Sequence, residues 1–552
     1  MSKEYLAQKI AKITAQIEGW PTLSSDEIQL GRPKKGTHGD LSTNVAMVLA
    51  KRTGEDPMAI AEAISQKLRL NRGSVKNWSV CAPGFINFVY GGRYLRNQLL
   101  EIHEQGKNFG KYDIGKGQRV QVEFVSANPT GPLNVVNARA AAVGDSIANL
   151  LQTIGYHVER EYYVNDTGLQ VKLLTESVEV RYRQLLGESV PFPEDGYHGE
   201  YIIDLAREII DREGVKYLSP PTAETREKIR HEALHKLVTR QQEDLRRFGV
   251  EFDVWFSERS LKKSGILEEV LALLTEGGHI YEKDGAVWFR SSSFYDQEDR
   301  VLIKEDGEAT YFLLDTAYHK NKFDRGFHRV IDLWGPDHHG YLPRMRSAVK
   351  ALGIQPDLLD LRIIQQVNLL RGGKPMRMSK RAGSLISMGE LLDEVGVDVA
   401  RFFFLMRRMD SHLDFDMDVA VEESEENPVY YVQYAHARCC SILKYSKSQG
   451  AVLSPIKDVD LSLLKRGEEL DLIKELALLP EVIQGAAQAL EPHRITGYLR
   501  DVATSFHQFY HKHRVVTDSP GLTAARLALV EATRIVLRNA LRIIGVSAPI
   551  SM

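Results

Sequence analysis

Val122-Glu123-Phe124-Val125-Ser126-Ala127-Asn128-Pro129-Thr130-Gly131-Pro132-Leu133-Asn134-Val135-Val136-Asn137 is the stretch on which the reading of the fold turns. At its start, Val120, Val122 and Phe124 alternate with polar residues, the period of a half-buried strand. Beyond it, Val143, Ile147, Leu150, Leu151 and Ile154 fall on one face of a helix expected from Ala138 to Ile154, with Gly155 placed to end it. A second strand is expected from about His157 to Val164, and Asn165-Asp166 is placed to cap the next helix. Together these make a βαβ unit. Its first crossover loop holds two prolines and a glycine and opens a helix N-terminus, where free backbone N–H groups and the macrodipole favour an anion. A phosphate site is expected there, although many α/β proteins share this layout with no ligand.

A second stretch strengthens that expectation. Arg371-Gly-Gly-Lys-Pro-Met-Arg-Met-Ser-Lys-Arg-Ala-Gly-Ser384 carries five basic residues, no acid and three glycines. Arg371, Lys374, Arg377, Lys380 and Arg381 on a glycine-rich loop suit a polyphosphate; the bland alternative is a basic surface loop. Ser387-Met388-Gly389-Glu390 follows with capping-box spacing, so the loop ends on a firm helix start.

The two stretches resemble the paired signatures of class I aminoacyl-tRNA synthetases, His-Ile-Gly-His after the first strand and Lys-Met-Ser-Lys-Ser after the last. The surrounding sequence is more similar still to the arginyl-tRNA synthetase family. The similarity lies in Val122-Glu123-Phe124 leading into Ser126 to Pro132, in Tyr162-Tyr163-Val164-Asn165-Asp166, and in Tyr197-His198-Gly199-Glu200-Tyr201-Ile202. It continues through Gly335-Pro336-Asp337-His338-His339-Gly340-Tyr341 and the run from Asn427-Pro428-Val429-Tyr430 to Ala437-Arg438, so it extends essentially from end to end.

Length and composition agree. A chain of 552 residues exceeds one core, and 43% hydrophobic with 26% charged residues is ordinary for a soluble protein. No apolar run approaches the roughly 18 residues of a membrane span, and the N-terminus lacks a signal-peptide core, so a cytoplasmic protein with no membrane partner is expected. Three cysteines without a Cys-x-x-Cys pair exclude a disulfide framework and a zinc knuckle. A net charge of −3 does not argue for nucleic acid, but local basic surfaces suffice for tRNA.

The expected architecture is multidomain α/β: a Rossmann-like parallel-sheet catalytic domain with an α+β N-terminal domain and an all-helical C-terminal anticodon-binding domain. Residues 1–113 form the N-terminal domain, which the resemblance assigns to tRNA contact. Its basic turn with Lys34 and Lys35 reads either as a solvated loop or as a phosphate contact. Residues 114–370 form the catalytic domain, interrupted by a charged helical insertion at about 167–278. Strand-like runs at 286–289, 311–314 and 330–334 are expected to complete its parallel sheet. Residues 371–426 hold the basic loop and a helical linking region, and 427–552 the anticodon-binding helices. There Arg534, Arg538 and Arg542 share a helix face, and Tyr510 and Arg514 belong to a second cluster of cations with aromatics. Each cluster alone reads more readily as a solvated helix face or as core aromatics. The resemblance marks Tyr510, Arg514, Arg534 and Arg538, with Lys34 and Lys35, as tRNA contacts.

What the resemblance implies for chemistry is in-line attack of the arginine carboxylate on the α-phosphate of ATP, then transfer to the terminal adenosine of tRNA(Arg). Partners are then L-arginine, tRNA(Arg) and ATP with Mg2+ as a substrate complex, with no tightly bound protein metal and a monomeric chain. Lys380 is the expected stabiliser of the phosphates, with Lys374, Arg377, Met378, Ser379 and Arg381 around it. The first signature should read His-x-Gly-His, whereas Asn134-Val135-Val136-Asn137 stands here. The amides of Asn134 and Asn137 can donate to phosphate but cannot become cationic, and Val136 replaces the glycine that lets nucleotide approach the backbone. Lys380 is therefore expected to carry more of the transition-state charge. For the guanidinium, the family positions are Glu123, Asn128, Tyr311, Asp315 and His338. The readings left open are a synthetase for another amino acid and a catalytically weak tRNA-binding relative.

Overall fold

Five parallel strands carry the centre of the chain: β1 (Arg119–Glu123), β2 (His157–Val164), β3 (Val254–Ser257), β4 (Arg329–Trp334) and β5 (Leu359–Ile363). Their order is β5-β4-β1-β2-β3, the doubly wound order that reverses between β1 and β4. The computed structural model describes residues 3–33, 38–218, 222–376 and 386–552. Alternation in β1 predicts one wet face. The structure instead covers both faces, leaving Gln121 and Glu123 as buried as Val120 and Val122, because parallel crossovers put helices on each side.

The signature helix Val135–Thr153 starts three residues before the expected Ala138. Gly155, at φ 94°, ends it: its N–H donates to Gln152 O and that of Tyr156 to Leu151 O, a Schellman pair. A close approach fixes the helix on the sheet. A β-carbon at Gly144 would lie 2.2 Å from Phe124 Cγ, and Phe124 is fully buried. Gly144→Ala is therefore expected to destabilise by about 1–3 kcal/mol through overpacking, read as a lower urea midpoint; an unchanged midpoint would show that the helix can slide.

Three expectations are corrected. The charged insertion is helical (Leu169–Leu185, Glu200–Glu213 and Ala223–Arg247, with a core of its own), but β3 lies within the expected 167–278 and belongs to the sheet. The run 286–289 pairs in a separate antiparallel three-stranded sheet, and 311–314 begins the pocket helix Tyr311–Asp324, capped by Thr310. Short apolar runs do not separate strand from buried helix by periodicity. Asp166 caps a different helix from the one expected. Its carboxylate accepts from Ser257 Oγ and Arg259 N at the end of β3, while the helix from Leu169 starts at Gly168 without a side-chain cap.

The N-terminal domain packs three helices on a four-stranded antiparallel sheet. Helix Gly92–Gln105 leads out of it onto the C-terminal helix Pro520–Ile543, where His103 Nε2 meets Ala528 O at 2.8 Å. The C-terminal region is helical throughout, from Pro428–Ser448 to Pro520–Ile543. The expected linking region also holds strands, Lys374–Pro375 and Leu413–Asp416, paired with Val367–Arg371.

Candidate active site

Ligands of such sheets bind at the carboxyl ends of the strands where the order reverses, which here is the end of β1 and β4. Glu123 closes β1. The next turn is strained: Val125 and Ser126 take φ of 69° and 39°, a left-handed region costly for a β-branched residue. The turn aims the Ser126 hydroxyl, which donates to Glu123 Oε1 (2.8 Å) and accepts from Tyr163 N (3.1 Å).

The pocket helix supplies the opposing wall. Tyr311, Asp315, Tyr318 and Lys322 are spaced four, three and four, so they share one face. Lys322, fully buried, donates to Glu123 Oε2 (2.5 Å) and Asp332 Oδ1 (2.7 Å). Burial opposes its charge, but Asp332 and Glu123 outweigh burial and hold its pKa above the usual lysine value. Burial likewise disfavours the Asp332 anion, yet Lys322 and His319 bring its carboxyl down to about 2. Glu123 is shifted the other way, upward, by burial against the pull of Lys322. Glu161 is neutralised in turn, accepting from Tyr318 and from both terminal nitrogens of Arg325.

Asp315 differs from these acids. One oxygen accepts from Tyr341 Oη at 2.7 Å, and among the described residues it has no ion-pair partner. Burial pushes its pKa up to about 7, against the Tyr341 hydrogen bond and His319. A half-buried carboxylate without a counter-ion beside the carboxyl ends of the strands suits an incoming cation. The other expected guanidinium contacts differ in what already holds them. Tyr311 is half exposed one turn earlier, and His338 packs on Trp334 with its Nδ1 buried and without a partner among the described residues. Glu123 keeps only the second lone pairs of oxygens already bonded to Ser126 and Lys322. Asn128 is exposed and donates to Gln170 Oε1 (2.7 Å).

The signature turn is held from the insertion: Tyr201 Oη donates to Thr130 O (2.7 Å) and Gln241 Nε2 to Gly131 O (3.0 Å). Asn134 and Asn137 form a reciprocal cap. Asn134 Oδ1 accepts from Val136 N and Asn137 N, and Asn137 Oδ1 accepts from Asn134 N. The expectation of free N–H groups at this terminus is therefore corrected, since two of them are bonded to Asn134. What remains for an anion is the Val135 N–H and the pair of Nδ2 groups, all without a partner among the described residues.

Arg377, Met378, Ser379, Lys380 and Arg381 lie outside the described residues, as do Lys34 and Lys35. The chain resuming beyond the basic loop meets the signature turn directly: Met388 N donates to Leu133 O (2.8 Å), and Ser387 bridges Asn134. Ser387 and Glu390 form the capping box expected there.

In the C-terminal helices, the Arg438 guanidinium lies 4.7 Å from the Tyr434 ring centroid and 5.0 Å from that of Tyr510. Such a cation between rings suits unstacked bases. Of the expected tRNA contacts, Tyr510 joins this cluster and Arg514 is exposed, whereas Arg534 is half-buried and forked onto Glu531 at 2.7 Å. Arg538 sits half-buried one turn on. Sequence reading named Ser126, Tyr341, Tyr434 and Arg438 only within motifs, and it missed Lys322. The four-three-four spacing of Tyr311 to Lys322 was the available signal, hidden by reading 311–314 as a strand.

A parallel sheet of this order with a capped signature helix and a separate helical domain defines a class I aminoacyl-tRNA synthetase fold. A methionyl-tRNA synthetase from Mycobacterium tuberculosis shares it at TM-score 0.54 and 14% identity, over 77% of this chain and 91% of that one. Three family models match: the arginyl tRNA synthetase N terminal domain at residues 2–90, the class I (R) tRNA synthetase catalytic domain at 98–423 and the DALR anticodon binding domain at 432–552. The arginine–tRNA ligase of Carboxydothermus hydrogenoformans is 48% identical over the whole of both chains, and that of Bacillus subtilis 48% identical over 95% of this chain and 94% of its own. The arginyl-tRNA synthetase of Thermus thermophilus has the same fold at TM-score 0.77 and 22% identity, with both chains covered completely. This chain belongs to the arginyl-tRNA synthetase family.

Proposed function

We propose that this chain is an arginine–tRNA ligase: it activates L-arginine with ATP to arginyl-adenylate, then transfers the arginyl group to the 3′ end of tRNA(Arg), releasing diphosphate and AMP. The observation that carries this reading is Asp315, the carboxylate left without a counter-ion beside acids that Lys322 and Arg325 already neutralise. A planar guanidinium matches a carboxylate in a fork, and a lysine ammonium does so less well. Tyr311, His338, Glu123 and Asn128 complete the pocket in this reading.

ATP enters as its magnesium complex. One arginine carboxylate oxygen attacks the α-phosphorus in line, the bond to the bridging oxygen breaks and diphosphate leaves; a ribose hydroxyl of tRNA then attacks the arginyl carbonyl and AMP leaves. No protein atom bonds to substrate, so the residues act by alignment and charge. The Asn134 and Asn137 amides donate to phosphate, and Lys380, with Arg377, Ser379 and Arg381, compensates the charge on the departing diphosphate. Tyr434, Arg438 and Tyr510 take unstacked bases of the anticodon loop.

Purified protein with tRNA, ATP, magnesium and each standard amino acid tests the assignment: arginine alone is expected to drive ATP–pyrophosphate exchange and charging. Exchange driven by a different amino acid would overturn the specificity. Tight tRNA binding with neither activity would leave a tRNA-binding protein without the chemistry. Lys380→Ala is expected to cut exchange by about tenfold or more, since the asparagine signature offers no cation; a smaller loss would reject that division of charge.

A further inference from the structure

The Tyr163 hydroxyl has no hydrogen-bond partner among the described residues, although the residue is only 6% exposed. A buried hydroxyl left unpaired is costly, so a native orphan at a pocket calls for an explanation. Tyr163 lies on β2 two residues beyond Glu161, which pairs in register with Glu123, so its side chain leaves the sheet on the Glu123 face at the carboxyl ends of the strands. Its ring is boxed by Tyr318 at 4.6 Å and Phe256 at 6.1 Å between centroids, and its N–H is fastened to Ser126. Burial first, and then the neighbouring Glu258, Asp315, Tyr311 and Glu123, push the pKa of the hydroxyl up and keep it protonated. Three of those four are the expected guanidinium contacts, and Glu258 is already paired with Lys262.

We propose that Tyr163 is a further substrate-binding residue, its hydroxyl accepting a hydrogen bond from an N–H of the bound arginine guanidinium. This rests on the ligase reading above. The hydroxyl then acts as a selectivity element. A guanidinium presents five N–H donors in a plane, more than two carboxylate oxygens in a fork can receive, and Tyr163 takes one of the remainder. Among the described residues the empty pocket leaves it unbonded, and substrate completes it.

The test uses full-length protein, wild type and Tyr163→Phe, in ATP–pyrophosphate exchange with tRNA present, together with thermal unfolding of the substrate-free proteins. The expected result is an arginine KM raised about tenfold, an ATP KM unchanged within about twofold, and a Tm equal or slightly higher, because an unpartnered hydroxyl is removed. An arginine KM within about twofold of wild type overturns the proposal. So does a Tm lowered by several degrees, which would place the missing partner inside the empty protein. Wild type without arginine-dependent exchange defeats the ligase reading itself; an active wild type with an indifferent Tyr163→Phe defeats this inference alone.

Discussion

Lys322→Met is expected to cost the folded protein about 3–5 kcal/mol, the penalty for stranding buried charge after one partner is removed. Lys322 is wholly buried and bonded to two carboxylates, Glu123 and Asp332, at the centre of the sheet. Methionine fills much the same volume, so the loss reads electrostatics rather than a cavity. With the ammonium gone, Asp332 keeps only His319 and Glu123 only the Ser126 hydroxyl, and one of the two carboxylates must take up a proton. The urea midpoint at neutral pH should fall steeply and recover in part as pH is lowered, because protonating either carboxyl relieves the repulsion. Adding Asp332→Asn to Lys322→Met should restore most of the stability. A single variant within about 1 kcal/mol of wild type would mean that the three charges are not coupled as the geometry requires.

Asp315→Asn carries the second large effect, on substrate rather than on stability. Asparagine keeps the shape and still accepts from Tyr341, but it cannot balance a guanidinium. Losing the charged partner of a buried pair is worth about 2–4 kcal/mol, a rise in arginine KM of about 30- to 1,000-fold. The pH dependence has a definite sign. Burial raises the carboxyl to about 7 in the empty pocket, so below that pH the acid is mostly neutral and cannot receive the cation. Apparent affinity scales with the ionised fraction, and arginine KM should rise about tenfold per unit below pH 7 and level off above it. Binding should release a proton near pH 6, seen as a dependence of calorimetric heat on buffer ionisation enthalpy. In Asp315→Asn the slope should vanish; a wild-type profile flat from pH 6 to 8 would remove Asp315 from the role.

The βαβ unit, the signature helix with its Gly155 stop, the Ser387 capping box and the helical C-terminal region were all legible, because each rests on local periodicity or on one capping residue. The reciprocal cap of Asn134 and Asn137 was not read from sequence, since asparagine stands where a box usually shows Glu or Gln. The pocket helix was missed for a related reason: Tyr311-Phe312-Leu313-Leu314 is an apolar run too short to distinguish helix from strand. Asp166 was read as the cap of its own following helix, whereas it caps one brought beside it from about ninety residues downstream.

The sequence by itself determined the family, the order of the domains and most of the residue types the chemistry needs, because those depend on motifs and spacing along the chain. Only tertiary structure decided which carboxylate is open to a cation. Glu123 and Asp315 look alike as letters, yet the packing that delivers Lys322 to one and leaves the other with a hydroxyl partner sets their charges apart. Burial and distance decide ionisation, and neither is written in local sequence.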